Sequence, residues 1–291
     1  MADGCIDANP DVSGIGVRIN FYLTMWLVSI IPATPWTESL LGTLHNNAGI
    51  ASLGLLVTAI VQTAQNQLSL YHALFISHIL FFFGGSVHPA GSYRWNPLRI
   101  TILVVLQIGV TVATLGWSLY VWVHVREFGS QSQCNNSIKY VFFFANVRPT
   151  VGWFRRFSMA ILILSAIFAG ISLIVWGVST VVMSARLKEF YGSEQLADEG
   201  VRANTETQNF YISWPSLAAA IYSTVMLELY VKRNKHLLGP EENDWSFGQV
   251  LSMVMILGTL NEVMLYIYSL LTRGRRSNAL SPSSSSLFTP S

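Results

Sequence analysis

Long apolar runs separated by short polar connections fill almost the whole chain. A bilayer core about 30 Å thick is spanned by about 20 helical residues, at about 1.5 Å per residue. Seven runs approach that length, and we predict that each is a transmembrane helix. They cover residues 15–32, 48–65, 68–87, 100–124, 157–184, 212–231 and 246–271. The pattern therefore predicts an all-α integral membrane protein with seven transmembrane helices in a bundle.

The remaining segments are too short or too polar to span a bilayer. Residues 33–47 and 140–147 are predicted to lie at the membrane interface. A tight turn is expected between the second and third runs. We therefore divide the chain into an extramembrane N-terminus at 1–14, a membrane domain at 15–272 and a disordered, serine-rich tail at 273–291.

The composition agrees with a membrane location. Charged residues make up 11% of the 291 residues and apolar residues 52%, whereas soluble domains carry roughly 25% charged residues. A net charge of +2 provides no basic field for nucleic acid. The expected partner is thus the lipid bilayer of the plasma membrane or an endomembrane, and no nucleic acid. No cofactor is expected, because the chain has no phosphate-binding glycine loop and no aspartate cluster for magnesium diphosphate.

The charges do not decide which side of the chain faces the cytosol. With alternating connections, side A (the N-terminal side) holds nine of the 17 Lys and Arg residues, and side B holds eight. Side A also contains the sequon Asn135-Asn136-Ser137 and both cysteines, Cys5 and Cys134. We therefore predict that side A is exoplasmic and that Asn135 is glycosylated. An oxidising compartment would allow the two cysteines to pair.

Glu262 lies in the middle of the last apolar run, 16 residues from its start and nine from its end. A carboxylate in hydrocarbon costs roughly 2.5–3.5 kcal/mol on insertion scales and commonly marks function. Matching depths on other spans gives Gln107, Tyr222 and Ser223 as neighbours, with Gln107 and Tyr222 as candidate binding residues. Glu262 is a candidate proton donor, and the alternative is a neutral glutamate that joins helices.

Glu228 lies near the side A end of the sixth run, where two cations are within reach. Lys232 follows at the i+4 spacing of a helical salt bridge. Arg18 has the matching depth on the first run, so a pair would join the first and sixth helices. Glu228 is a second catalytic candidate, and Arg18 is a candidate binding residue that clamps the bundle or lines a pocket mouth. Glu228 and Glu262 differ in depth by nearly 20 Å at ~1.5 Å per residue, which argues against a catalytic dyad.

Three stretches resemble a large group of fungal polytopic membrane proteins. They are NPDVSGIGVRINFYL at 9–23, LELYVKRNKH at 227–236 and the pair Gly248-Gln249. The group has a GIGVR start, a Glu-Leu sixth span and a Gly-Gln before the last span, so the resemblance covers nearly the whole chain. It implies an architecture and no particular activity. Its shared positions correspond to Gly14, Gly16, Arg18, Glu228, Asn234, Gly248 and Gln249, and it adds Asn234 and Gln249 to the candidate binding residues.

Three functions fit these features. Fungal integral-membrane terpene cyclases use an acid embedded in the bilayer, and aromatic side chains stabilise the cations that form. By that analogy, the first hypothesis is an enzyme of fungal secondary metabolism that acts on a lipophilic small molecule, with Glu262 as the acid. The second is a seven-helix sensor or receptor-like protein, although the last run lacks the rhodopsin lysine and the Asn-Pro-x-x-Tyr motif. The third is a proton-coupled carrier of small molecules.

Overall fold

The structure is a computed structural model that describes residues 4–32, 34, 37–83, 97–190 and 214–279. Its helices are α1 Pro10–Ser13, α2 Ile15–Ile30, α3 Glu38–Ala64, α4 Leu70–Phe83, α5 Pro97–Val123, α6 Gly152–Phe190, α7 Trp214–Asn234 and α8 Phe247–Ala279. Short 3-10 helices cover Ser132–Ser137, Lys235–Leu237 and Pro240–Asn243. Strands β1 Tyr140–Phe142 and β2 Ala145–Val147 form an antiparallel hairpin. The described chain is thus helical apart from one small hairpin.

Helices α2 to α8 correspond in order to the seven predicted spans. Among the described residues, three segments are both long and apolar enough to cross a membrane: Ser39–Ala64, Gly152–Val175 and Pro240–Tyr268. Two shorter helical segments, Leu70–Phe81 and Ile108–Val123, are also apolar. These segments support a helical membrane protein, and the count of seven spans stays a prediction.

Helices α2, α3, α4 and α7 form the centre of the bundle. Helix α2 packs along α8, α7 and α3, while α4 packs against α3, α5 and α7. Helix α6 packs mainly on α5, and α8 packs mainly on α2 and α3. The deepest part of the core lies on α4, where Tyr71, Phe75 and Ile76 are fully buried. Helices α6 and α8 carry many exposed apolar side chains, as helices in contact with lipid do.

The described part of the predicted interfacial segment at 33–47 is helical from residue 38 onward, because α3 begins at Glu38 rather than at residue 48. The Thr43 hydroxyl donates to a carbonyl of its own helix at 3.1 Å, and His45 Nδ1 lies 2.7 Å from another such carbonyl. These polar groups are therefore satisfied without water. The same stretch buries an apolar stripe against residues of α2 and α8: Leu40, Leu41 and Leu44.

Residues 140–147 form the β-hairpin rather than an irregular apolar segment. Tyr140 pairs with Val147, and Phe142 pairs with Ala145. The turn consists of Phe143 and Phe144, which adopt positive φ angles of 44° and 67° and are exposed. The position of this aromatic turn at the membrane interface stays a prediction.

The last helix is longer than the sequence pattern indicates. Helix α8 continues to Ala279, so the first part of the predicted tail at 273–291 is helical. No proline interrupts the chain before Pro282, and the helix can therefore extend beyond the apolar run. Residues 280–291 lie outside the described part, as do 84–96 and 191–213.

Candidate functional site

Four connecting segments meet on one side of the bundle and form a folded cap. The cap comprises residues 4–14, 65–69, 124–151 and 235–246. A disulfide joins Cys5 to Cys134 across it. The Ile6 amide donates to the Leu237 carbonyl at 2.8 Å, and the Gly239 amide donates to the Ile6 carbonyl at 3.0 Å. The cap thus unites the connections that an alternating topology assigns to side A, and the cysteine pairing that the sequence left open is present.

Asn135, the predicted glycosylation site, is buried in this cap. The residue is only 2% exposed. Its amide nitrogen donates to the carbonyls of Val125 and Phe128, at 3.3 and 3.0 Å. A glycan would be attached to that same nitrogen, so the structure argues against glycosylation of Asn135. The sequon is a three-residue pattern that carries no information on burial, and the exoplasmic assignment of the cap now depends on the disulfide.

Gly14 and Gly16 bring the entrance of α2 against the first turn of α8. A Cβ atom on Gly14 would overlap the Pro10 carbonyl and the Gln249 side chain. A Cβ atom on Gly16 would lie 2.9 Å from the Gln249 carbonyl oxygen, which is also too close. Only glycine permits this approach of the two backbones.

Gln249 is fully buried and uses its side-chain amide to join three segments. The Gly16 amide donates to Oε1 of Gln249 at 3.1 Å. Nε2 of Gln249 donates to the Asp244 carbonyl at 2.7 Å. These hydrogen bonds give the buried amide group of Gln249 partners in place of water. Gln249 therefore fixes α2 to α8 and to the cap segment that contains Asp244.

Asp11, which sequence reasoning missed, caps the N-terminus of α8. Oδ1 of Asp11 accepts a hydrogen bond from the Gly248 amide at 2.8 Å. A carboxylate at this end of a helix is favoured by the free amides and the helix dipole. A Cβ atom on Gly248 would lie 2.6 Å from that oxygen. The contact joins distant parts of the chain, so no local pattern marks Asp11.

Arg18 and Glu228 form the predicted ion pair between α2 and α7. Nη1 of Arg18 lies 2.5 Å from Oε1 of Glu228, and the Tyr22 hydroxyl donates to the same oxygen at 2.8 Å. The Arg18 side chain is 12% exposed and that of Glu228 is 46% exposed. One oxygen of Glu228 thus accepts hydrogen bonds from two residues of α2.

Loss of one partner of this pair should destabilise the fold. Glu228→Gln leaves Arg18 largely buried without its counter-charge, and we expect a loss of about 1–2 kcal/mol, reduced by the exposure of Glu228. The exchange Arg18→Glu with Glu228→Arg should restore part of it. Thermal unfolding of the purified protein in detergent measures both variants. Lys232→Ala is the matched control, and a larger loss there than in Glu228→Gln would show that the i+4 pair dominates.

Asn234 lies at the end of α7 and connects that helix to the hairpin. Its side-chain oxygen accepts from the Lys139 amide at 2.8 Å, and its nitrogen donates to the Lys139 carbonyl at 2.9 Å. The same nitrogen donates to the Tyr230 carbonyl at 2.8 Å. Asn234 is fully buried, so the structure gives it a role in holding the cap rather than in binding an external molecule.

Glu242, which the sequence does not mark, is buried in the cap beside His72 of α4. Its carboxylate accepts from the Asn9 amide at 2.8 Å and from the Ser13 hydroxyl, and it lies 3.5 Å from Nε2 of His72. Burial raises the pKa of Glu242, but His72, Ser13 and Asn9 together outweigh burial and hold the pKa below its usual value. Glu242 therefore links the N-terminal segment to α4 and to the cap segment that precedes α8.

Glu262 is partly buried on α8, on a helix that packs mainly against α2 and α3. One turn earlier, Thr259 accepts a hydrogen bond from Asn47 of α3 at 3.5 Å. One turn later, Tyr266 packs against the leucine stripe of α3. The surroundings of Glu262 on α8 thus combine apolar side chains with a few neutral polar groups.

The structure shows contacts of two of the predicted neighbours of Glu262 with elements other than α8. Tyr222 lies on α7, where its ring packs 5.5 Å from that of Phe143, and Ser223 shares a hydrogen bond of 3.2 Å with His78. Gln107 lies on α5, which packs on α6, α4 and α3, and its side chain is outside the described part. Depth along the membrane normal gives the height of a residue but not its direction around the bundle, so the contact of Glu262 with Gln107 and Tyr222 stays a prediction.

The positions on which the fungal resemblance rests lie together in or beside the cap. They form five contacts: Gly14 and Gly16 each with Gln249, Gly248 with Asp11, Arg18 with Glu228, and Asn234 with Lys139. Comparisons with protein-family models, curated proteins and solved structures find no match. The resemblance therefore stays a prediction, and functional inference depends on the residues of this chain.

Proposed function

We propose that the chain crosses the bilayer seven times, through α2 to α8, with the cap on the exoplasmic side. Two observations support this topology. Every second connection from the N-terminal segment onward belongs to the cap, as alternating crossings require. The cap also contains the disulfide between Cys5 and Cys134, and disulfides persist in oxidising compartments.

Within that topology, we propose a membrane-embedded enzyme that acts on a lipophilic small molecule, with Glu262 as the proton donor. The observation that carries the proposal is a partly buried carboxyl group on α8, in the part of the candidate span Pro240–Tyr268 that follows the cap. Carboxyl groups in such surroundings are rare and are commonly retained for proton transfer. The aromatic-rich spans fit an enzyme that stabilises a carbocation, as in the terpene cyclases of fungal secondary metabolism.

Glu262→Gln separates the enzyme from a structural glutamate. The amide keeps the size and hydrogen-bonding capacity of a protonated carboxyl group but donates no acidic proton. We expect the variant to accumulate like the natural protein and to reproduce the lipophilic metabolite profile of a deletion strain. Untargeted mass spectrometry of extracts from the three strains measures this.

Matched controls make that experiment decisive. Thr259→Val removes a polar group one turn away on α8 without removing a carboxyl group, and it should keep the natural profile. A natural profile in a well-expressed Glu262→Gln strain contradicts acid catalysis. An unchanged profile in the deletion strain contradicts any biosynthetic role.

A seven-helix sensor is the second candidate, and the cap is the observation that favours it. Glu242 and His72 connect the outer segments of the cap directly to α4, so a change in the cap would be transmitted to the centre of the bundle. A sensor predicts normal function in Glu262→Gln and loss of function in Glu242→Gln. The two variants thus discriminate between the candidates.

A further inference from the structure

A line of polar contacts runs along the interface between α2 and α7. Beginning at the cap, Arg18 and Tyr22 bind Glu228. About one turn deeper, Nε1 of Trp26 donates to the Thr224 hydroxyl at 3.1 Å. Polar side chains at such depths are expensive in a bilayer and by default point to a binding role. We call these five residues the seam.

The seam is open to its surroundings at two places. Trp26 is 36% exposed, and the Glu228 side chain is 46% exposed. Oε1 of Glu228 accepts both described hydrogen bonds, whereas Oε2 accepts none from the part of the chain that the structure describes. Glu228 therefore holds one oxygen in a fixed position as an available acceptor.

Exposed apolar side chains lie one helical turn from seam residues on both helices. The exposed residues are Ile19 and Ile30 on α2, and Ile221 and Val225 on α7. An elongated apolar molecule lying along the seam would contact these side chains and the Trp26 ring. The surface therefore combines one hydrogen-bond acceptor near the cap with an apolar track that leads away from it.

We propose that the seam binds a lipophilic alcohol, whose hydroxyl group donates to Oε2 of Glu228. This deepens the proposed function, on which it rests, by naming the class of lipophile that the protein takes up. Charge favours an uncharged donor, because the Arg18–Glu228 pair is neutral overall and the exposed carboxylate repels phosphate. The depth of Glu228 also fits an uncharged ligand. Glu228 lies six residues, or about 9 Å, from the end of α7 at Asn234.

The test uses photoactivatable, alkyne-tagged cholesterol and its 3-O-methyl ether, each added to the full chain in lipid nanodiscs. The ether keeps the apolar body but cannot donate a hydrogen bond. We expect the alcohol to label the natural protein roughly tenfold better than the ether, the factor that a charge-assisted hydrogen bond provides. The labelled peptides should come from α2 and α7.

Variants distinguish a ligand-binding role of Glu228 from a purely structural role in the ion pair with Arg18. The exchange Arg18→Glu with Glu228→Arg keeps an ion pair but places a donor in the exposed position, so the preference for the alcohol should disappear. Glu228→Gln, compared at equal recovery of folded protein, should reduce the preference as well. Glu241→Gln removes another exposed carboxylate, outside the seam, and should label like the natural protein.

Several outcomes would overturn the proposal. These are equal labelling by alcohol and ether, labelled peptides outside the seam, an unchanged preference in the exchanged variant, or cross-linking of two chains through the seam. Glu262→Gln keeps the two ideas separate, because it leaves the seam intact. Retained alcohol preference with a lost metabolite profile in Glu262→Gln supports both proposals. Retained preference with a natural metabolite profile in that variant overturns only the proposed function. A lost metabolite profile in that variant, with no alcohol preference in the natural protein, overturns only the alcohol site.

Discussion

Gly14→Ala should prevent the chain from reaching its stable folded state. The added methyl group would overlap the Pro10 carbonyl and the Gln249 side chain. Neither neighbour can move freely, because Pro10 belongs to the backbone of α1 and Gln249 is held by hydrogen bonds to Gly16 and Asp244. We expect a loss of about 3 kcal/mol or more, at the upper end for overpacking of a rigid site.

Recovery of monodisperse protein by size-exclusion chromatography, together with the thermal unfolding midpoint, measures this loss. Gly54→Ala and Gly116→Ala are matched controls, because a Cβ atom at either position meets nothing within 4 Å. Both lie inside helices, where alanine is favoured over glycine, so neither should lower the midpoint. An unchanged midpoint in Gly14→Ala would contradict the close approach of α2 and α8.

Loss of the cap disulfide should produce the second large effect. The bond between Cys5 and Cys134 closes a loop with a sequence separation of 129. A free loop of 100 residues corresponds to about 4.7 kcal/mol. Spans that stay in the membrane restrict the unfolded chain already, so we expect Cys134→Ser to cost about 2–4 kcal/mol in unfolding free energy.

Reductant provides the internal control for this variant. Dithiothreitol should lower the unfolding midpoint of the natural protein and leave that of the double variant Cys5→Ser, Cys134→Ser unchanged. Maleimide should label neither cysteine before reduction and both afterwards in the unfolded protein. Labelling of both thiols in protein isolated without reductant would contradict the disulfide, and with it the support for an exoplasmic cap.

The helices could be predicted from the sequence because apolar runs of about 20 residues seldom form any other structure. The first run, at 15–32, corresponds closely to α2 at Ile15–Ile30. The start of α3 could not be predicted, since its polar residues are satisfied by bonds to their own backbone. The hairpin at 140–147 was missed because a short aromatic run is equally compatible with an interfacial segment.

Part of the candidate site was also accessible from the sequence. The pair of Arg18 and Glu228 was one of two that charge and position allowed, and Lys232 was the other possible partner. To predict the neighbours of Glu262, one must know which way each helix face points. Depth in the membrane does not give that direction. Glu242 was missed because its partners lie far away along the chain and no spacing rule links them.

The contacts between the two ends of the chain affect how the protein assembles during its synthesis. Arg18 precedes its partner Glu228 by 210 residues, and at about 5–20 residues per second the ribosome needs roughly 10–40 s to cover that distance. During this interval α2 carries an unpaired guanidinium, and Gly14 and Gly16 have no Gln249 to pack against. Helix α2 must therefore wait for α7 and α8 before its contacts with them can form. Any treatment that releases the nascent chain early leaves the N-terminal half without the partners that complete it.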